Sequence, residues 1–506
     1  MKKSQGSPKA VFCLLFVLSL ALTWERAHAY REPQPPAITT AALIGHGLLQ
    51  GRSLYSDLWD FHPPALAISY AFAETLGGWG PYSIFLLNLL IAWAILGALF
   101  GIGFRYGGIG TGLLAAGLWT LISGDPSLWA NQPLSEGFVN LFVAWGFFFL
   151  LRRPETRFDF RYWTMAGLCF GWASLYQLSV LGLAVLLSLA WFGWDRFEGI
   201  GKFHFARGMG WFWGVLMGMG LVVFLYFLLV GHLADFWGAV FSYNLYQLAQ
   251  AGLNQNGWLK WWPDALKVGI PFLLVAFLGA CRGFSSQSRL WLLLSAYGGW
   301  VFIEVSSASF APESYQCWLP PFVIGAAWGL GELGRWIKSW NPGLAFAPAL
   351  LLFLFAFCHE WPFYQQWAVD WSRIKAGDAT VETYNLAQNL DNFLKPNETF
   401  YEWGGETQLY YLTRRAPPSG VLTCAPLTQG PLADSLSARV LNDLNRTEPD
   451  LFVLNRGELA GPWAGNPVLT QLKKNYVPLR RIPISGNLMF FVRKGSGLEV
   501  RLGGRS

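Results

Sequence analysis

Charge is what this sequence has least of. Lys, Arg, Asp and Glu make up 13% of its 506 residues, against about a quarter in an average soluble protein, which excludes an ordinary cytosolic enzyme. Cysteine is sparse too. Cys13, Cys169, Cys281, Cys317 and Cys358 fall in or beside apolar runs and Cys424 stands alone in the tail. No paired spacing and no Cys/His cluster points to a zinc site or a disulfide framework. The sequence has no glycine-rich phosphate cradle, and no internal repeat or low-complexity segment. Net charge is +6 without one basic patch, so nucleic acid is not an expected partner.

What is present is apolar and aromatic: 53% hydrophobic residues, with 28 Trp and 40 Phe, a composition suited to a bilayer and its interfaces. The charge is unevenly spread. Residues 1–358 carry 20 Lys/Arg and 16 Asp/Glu, and the much shorter stretch 359–506 carries 16 and 14. The expected organisation is therefore a transmembrane domain over 1–358 and a soluble domain over 359–506.

Apolar runs occupy 10–24, 84–104, 108–123, 134–151, 163–192, 211–230, 266–281, 290–303, 318–333 and 343–358. A spanning helix needs about 20 residues. The run 163–192 is too long for one span, short for two, and interrupted at Tyr176-Gln177. Lys and Arg collect on the cytoplasmic side. With the N-terminus inside and 163–192 crossing twice, 15 basic residues fall inside and five outside: Arg26, Arg31, Arg52, Lys260 and Lys267. A single crossing would move Arg196, Lys202 and Arg207 outside. The expectation is a mainly α, multi-pass plasma (inner) membrane protein of about 11 transmembrane helices, with the N-terminus cytoplasmic and the tail outside (periplasmic). Lys2-Lys3, the run 10–24 and Ala27-His28-Ala29 also fit a cleaved signal peptide; both readings put the segment after residue 29 outside.

The first outside loop, roughly 25–83, holds two short apolar stretches, 37–50 and 65–77, read as helices lying along the membrane surface. Between and before them lie Arg31, Glu32, Arg52, Tyr55, Asp57, Asp60 and His62. Ionisable groups held close to a membrane tend to mark function, although Asp57 and Asp60 also suit turn caps and Pro63-Pro64 a helix break.

The string Gly51-Arg52-Ser53-Leu54-Tyr55-Ser56-Asp57-Leu58-Trp59-Asp60-Phe61-His62-Pro63-Pro64 resembles the G-x-x-x-Y-x-D-x-x-x-x-x-P-P pattern of GT-C membrane glycosyltransferases, the relatives of protein O-mannosyltransferases and bacterial aminoarabinose transferase. The likeness continues in Trp129-Ala130-Asn131-Gln132 with Glu136, in Gly167 through Gln177, in Tyr243-Asn244-Leu245-Tyr246, and in Tyr315 with Pro320-Pro321. It departs in two places. The family's acidic pair upstream of the glycine aligns with Ala37-Ile38, the nearest acid being Glu32, and Tyr176 stands where many relatives have Lys.

The resemblance implies transfer of a sugar from a polyprenyl-phosphate-linked donor to a glycan, lipid or protein acceptor at the outer face of the membrane. A carboxylate would take the acceptor proton; Glu32 is the first choice, Asp57 the second, with Asp60 beside His62. Arg31, Arg52, His62, Lys260 and Lys267 are available to a leaving phosphate. Trp258, Trp261 and Trp262 around Lys260 read as an interfacial belt or a sugar platform. Tyr55, Asn131, Glu136, Tyr243, Asn244, Tyr246 and Tyr315 are further substrate contacts. Glu136 equally suits a helix N-terminus, and Tyr243 and Tyr246 equally suit packing. Glu304 and Glu313 with the first-loop acids offer a divalent metal ion, without metal-ligand spacing. The rival classes are a transporter or flippase for lipid-linked sugars, which would place polar groups at the bilayer midplane, and a non-catalytic glycolipid-binding relative.

The tail reads as a small α/β domain. Helices are expected over 380–394 and 433–445, and strands at 399–403, 450–455 and 487–493. Asn397-Glu398-Thr399 and Asn445-Arg446-Thr447 match a glycosylation sequon.

Overall fold

The computed structural model describes residues 8–151, 159–198, 202–251, 257–283, 288–307, 311–456, 465–479 and 488–503. They fall into two compact units. Residues 1–31, 77–226 and 251–371 form the first; 32–76, 227–250 and 372–506 form the second.

The first unit is helical, and each apolar run lies on a helix: Pro8–His28, Pro81–Gly107, Ile109–Ile122, Ser135–Leu150, Phe160–Ser174, Val180–Glu198, Lys202–Leu229, Gly257–Gly283, Ser288–Ser307, Leu319–Trp340 and Ala347–Tyr364. The run 163–192 is two helices, separated where Tyr176 and Gln177 turn the chain. Among the described residues five helical segments are long and apolar enough to cross a bilayer, namely Pro8–Arg31, Pro81–Gly107, Ala206–Leu229, Arg289–Ser307 and Pro342–Tyr364. Phe12, Val222 and Leu351 point outward from such helices, as suits a lipid environment. This is a multi-pass membrane architecture.

Inside the unit, small residues let helices approach. A Cβ on Gly279 would stand 2.3 Å from the Cα of Gly329, and one on Gly329 would stand 2.3 Å from the carbonyl of Val275. Helices 257–283 and 319–340 therefore meet backbone to backbone, the route by which helices associate where burial in lipid gives no hydrophobic gain.

The second unit joins the first-loop helices Pro36–Leu49 and Ala65–Gly77 to the C-terminal part. The helix Ala347–Tyr364 runs through position 358, and this unit's C-terminal segment opens at Ser372. Its sheet has four strands, β1 (Phe400–Trp403), β2 (Leu451–Asn455), β3 (Tyr476–Pro478) and β4 (Leu488–Arg493), in the order β1-β2-β4-β3. β1 and β2 are parallel and the other pairs antiparallel. β2 has a paired neighbour on each side and buries Leu451, Phe452, Val453 and Leu454. A parallel pair needs a long crossover, and the helix Ala433–Thr447 lies on it, burying Leu436, Val440 and Leu444. The helix Asp378–Phe393 buries Val381, Leu386 and Leu390.

Candidate functional site

The first-loop motif is built in the second unit. Helix 36–49 is capped by Gln50 and followed by Gly51, whose φ of 81° only glycine adopts freely. The chain then folds on itself. Asp57 Oδ2 accepts the Ser53 backbone N–H at 2.8 Å, and Tyr55 N–H donates to Leu58 O at 2.7 Å. Tyr55 sits at φ 69° and is 1% exposed. Such a residue costs about 1–3 kcal/mol and persists only where its surroundings over-determine it. Here they do. The Tyr55 hydroxyl donates to His62 O at 2.9 Å, Arg439 Nη1 donates to Tyr55 O at 3.1 Å, and the ring packs against Phe227 and Phe236. Burial, then the charge of Asp60, pushes the Tyr55 phenol well above its ordinary range, so it acts as a neutral donor. The exposed Asp57 caps this turn, and Arg52 Nη2 donates to Asp57 O at 3.1 Å.

Asp60 and His62 form a pair. Asp60, 7% exposed, accepts from His62 N–H at 3.2 Å and faces His62 Nδ1 at 2.8 Å. The imidazole stacks on Phe61, and a third of its surface stays accessible. Asn244 Nδ2 holds Phe61 O at 2.7 Å from the end of the π-helical segment Gly238–Tyr243; π-bulges recur at functional sites. Tyr243 meets Trp59 edge-on, with burial raising its phenol, and Tyr246 lies 6.2 Å from it, ring centre to ring centre. The motif residues Arg52, Tyr55, Asp57, Asp60 and His62 are thus brought together with Tyr243, Asn244 and Tyr246, and with Arg439, which sequence reasoning missed.

Glu32 lies in the same unit but in a different setting. Both its oxygens face Lys375 Nζ, at 2.6 and 2.9 Å, Ser372 Oγ stands 3.5 Å away, and both ion-pair side chains are 1% exposed. Glu32 is thus engaged in a buried ion pair.

In the first unit the second motif is tied to the 3-10 turn Pro312–Trp318, which precedes the tenth apolar helix. Gln316 Nε2 donates to Trp129 O at 2.7 Å, Asn140 Nδ2 donates to Gln316 O at 2.9 Å, and the buried Asn88 donates to Asn131 O. Trp129, like Tyr55, is left-handed, at φ 55°. Glu136, in the first turn of helix 135–150, accepts from Ser135 Oγ at 3.0 Å. Tyr315 is 1% exposed, edge-on to Trp318, its phenol pushed up to about 12 by burial. Gln177 donates to Glu304. Beside the 3-10 turn Pro312–Trp318 opens a cavity of 480 Å³ between helices 257–283, 288–307 and 319–340, lined by Phe277, Trp291, Leu294, Phe302, Trp318 and Phe322 among others. Arg31, at the edge of this unit, is exposed. Lys260 and its neighbouring tryptophans lie outside the side chains described.

The fold brings together one group, among the described residues, that could hold a metal ion. Asp125, His359 and Glu360 each present a ligand atom, all within 4.8 Å of one another. Sequence spacing hides this because Asp125 and His359 are 234 positions apart. The signal that was available is an adjacent pair of ionisable residues near the end of an apolar helix.

No family model and no curated protein matches the sequence. Solved structures do match. ArnT from Cupriavidus metallidurans, bound to undecaprenyl phosphate, is 13% identical with a TM-score of 0.54, covering 97% of this chain and 99% of that one. The Archaeoglobus fulgidus oligosaccharyltransferase tethered with an acceptor peptide is 11% identical with a TM-score of 0.57, over 98% of this chain and 75% of that one. Arabinofuranosyltransferase AftD from Mycobacteria is 14% identical with a TM-score of 0.52, over 97% and 42%. The chain has the fold of the GT-C glycosyltransferases. At these identities the likeness is one of fold, and it agrees with the resemblance carried by the sequence motifs.

Proposed function

We propose that this GT-C chain transfers a sugar from a polyprenyl-phosphate-linked donor to an acceptor at the outer face of the membrane. The observation that carries the reading is the correspondence over 97% of this chain and 99% of ArnT, whose structure holds undecaprenyl phosphate. Two features of the chain support it. The first unit contains the 480 Å³ cavity walled by Trp, Phe and Leu, suited to a lipid tail. The second unit contains Asp60 and His62 in the geometry of an oriented base.

In this reading the acceptor oxygen attacks the anomeric carbon, the bond from that carbon to the phosphate oxygen breaks, and the electron pair leaves with polyprenyl phosphate. The acceptor proton passes to the His62 imidazole. Asp60 orients the ring and stabilises its protonated form, as a carboxylate does for a catalytic histidine. Arg52 and Arg439 supply positive charge in the same unit. Glu32 is assigned to anchoring, and Asp57 to shaping the turn.

The test is release of polyprenyl phosphate by purified protein given polyprenyl-phosphate sugars and candidate acceptors. His62→Gln and Asp60→Asn should each lower the rate by roughly 10²–10⁴. Release no faster than in His62→Gln across the donor panel would sink the reading. Movement of intact lipid-linked sugar across a vesicle membrane would favour the flippase instead.

A further inference from the structure

We propose that Asp125, His359 and Glu360 bind a divalent transition-metal ion that fastens the loop after helix 109–122 to the helix 347–364. The starting point is Glu360. It is 2% exposed and neither carboxylate oxygen has a hydrogen-bond partner. An ionised carboxylate is far too costly to bury unmet, so a proton or a cation must meet it.

The surroundings are those of a cation. Asp125 is fully buried and already oriented, its Oδ1 accepting Ser127 N–H at 2.7 Å and Ser127 O–H at 2.6 Å. Its other oxygen, Oδ2, faces His359 Nε2 at 3.1 Å. Two ligands on a tetrahedral ion with bonds of ~2.0 Å stand about 3.3 Å apart, so this pair needs little adjustment. Ligand atoms from all three residues lie within 4.8 Å of one another. Hydrogen bonds that fix a ligand carboxylate, as Ser127 does here, are the usual support of a metal site.

The positive charges nearby do not replace the ion. Arg26 Nη2 donates to Ser123 O at 2.6 Å, and its charge acts on Glu360 as well as on Glu25, while Lys267 acts on His359; neither hydrogen-bonds Glu360. One imidazole and two carboxylates favour zinc or another first-row ion over magnesium or calcium. The His359 side chain, 23% exposed, gives the ion a way in. The site uses none of the first-loop acids and does not depend on the glycosyl-transfer reading.

The test uses the full chain purified in detergent without chelators. Metal content by mass spectrometry should be about one zinc or other first-row ion per chain. EDTA should lower the melting temperature, and ZnCl₂ should restore it. Glu360→Gln keeps the shape of the side chain, and it should bind zinc roughly tenfold more weakly or worse, with a melting temperature that EDTA no longer moves. His359→Gln is the second variant and should behave alike. A wild-type protein with no metal and no melting response to zinc or manganese overturns the proposal, as does a response confined to magnesium or calcium. So does a Glu360→Gln protein that retains zinc as the wild type does; a carboxyl met by a proton alone gives the first of these results.

Discussion

Glu32 and Lys375 show why a residue's chemistry cannot be assigned from its neighbours in sequence. Next to Arg31 and among prolines, Glu32 reads as a free carboxylate; in the fold its partner comes from 343 positions away. Breaking a fully buried ion pair by removing one member costs about 3–5 kcal/mol, whereas replacing both members with apolar residues is often neutral. Glu32→Gln should therefore lower the melting temperature strongly, and the double variant Glu32→Met/Lys375→Met should recover most of it. If the recovered double variant turns over like the wild type, Glu32 is an anchor. If it folds and is dead, Glu32 is the base after all. Glu313 offers a second test at this scale. Burial raises its carboxyl above the ordinary range, against a backbone hydrogen bond that lowers it. The folded protein thus holds that proton more tightly than the unfolded chain, so its contribution is intact at low pH and is lost as pH rises through the raised value. Melting curves from pH 4 to pH 7 should show Glu313→Gln gaining on the wild type as pH increases.

Elements were more legible than contacts. Hydrophobic runs located the helices, because a helix that faces lipid or packs on a helix must be apolar over its length. The stretches 37–50 and 65–77 carry equally plain patterns and form the helices Pro36–Leu49 and Ala65–Gly77, and the expected strands are found at Phe400–Trp403, Leu451–Asn455 and Leu488–Arg493. β3 escaped because three residues, Tyr476-Val477-Pro478, are too few to show a period and end in proline. The close fit of the first loop against the C-terminal segment was invisible for a different reason: it depends on a missing side chain. A Cβ on Gly420 would stand 1.7 Å from Asp57 O, and Gly420 O accepts the Trp59 N–H at 3.0 Å. Backbone cannot yield as a flexible side chain does, so Gly420→Ala must displace the turn that carries Tyr55 and Asp57. Overpacking of this kind costs about 1–3 kcal/mol. The expected outcome is a protein that still folds but turns over slowly, with altered protease cleavage near residues 53–60. Wild-type turnover would mean that the turn's geometry does not matter to the reaction.

For the molecule as a whole, the charge contrast between 1–358 and 359–506 reports solvent exposure, not packing. That is why it finds the membrane helices yet misses the assembly of 32–76 and 227–250 into one compact unit with 372–506. Topology rests on the distribution of Lys and Arg, which the fold constrains through helix number. Tyr176 and Gln177 separate the helices Phe160–Ser174 and Val180–Glu198. If both cross, eleven crossings place Arg207 and Arg289 in the cytoplasm and the sheet outside; if together they cross once, everything after them inverts. The excess of basic residues on cytoplasmic loops favours two crossings. Cysteine labelling or reporter fusions should then find Arg157, Arg207 and Arg289 cytoplasmic, and Asp57 and residue 450 outside. A cytoplasmic report at residue 450 with Asp57 outside would mean one crossing over 160–198. It would also separate the two segments that the fold joins in one unit, so such a result would count against the fold of the second unit as well as against the topology.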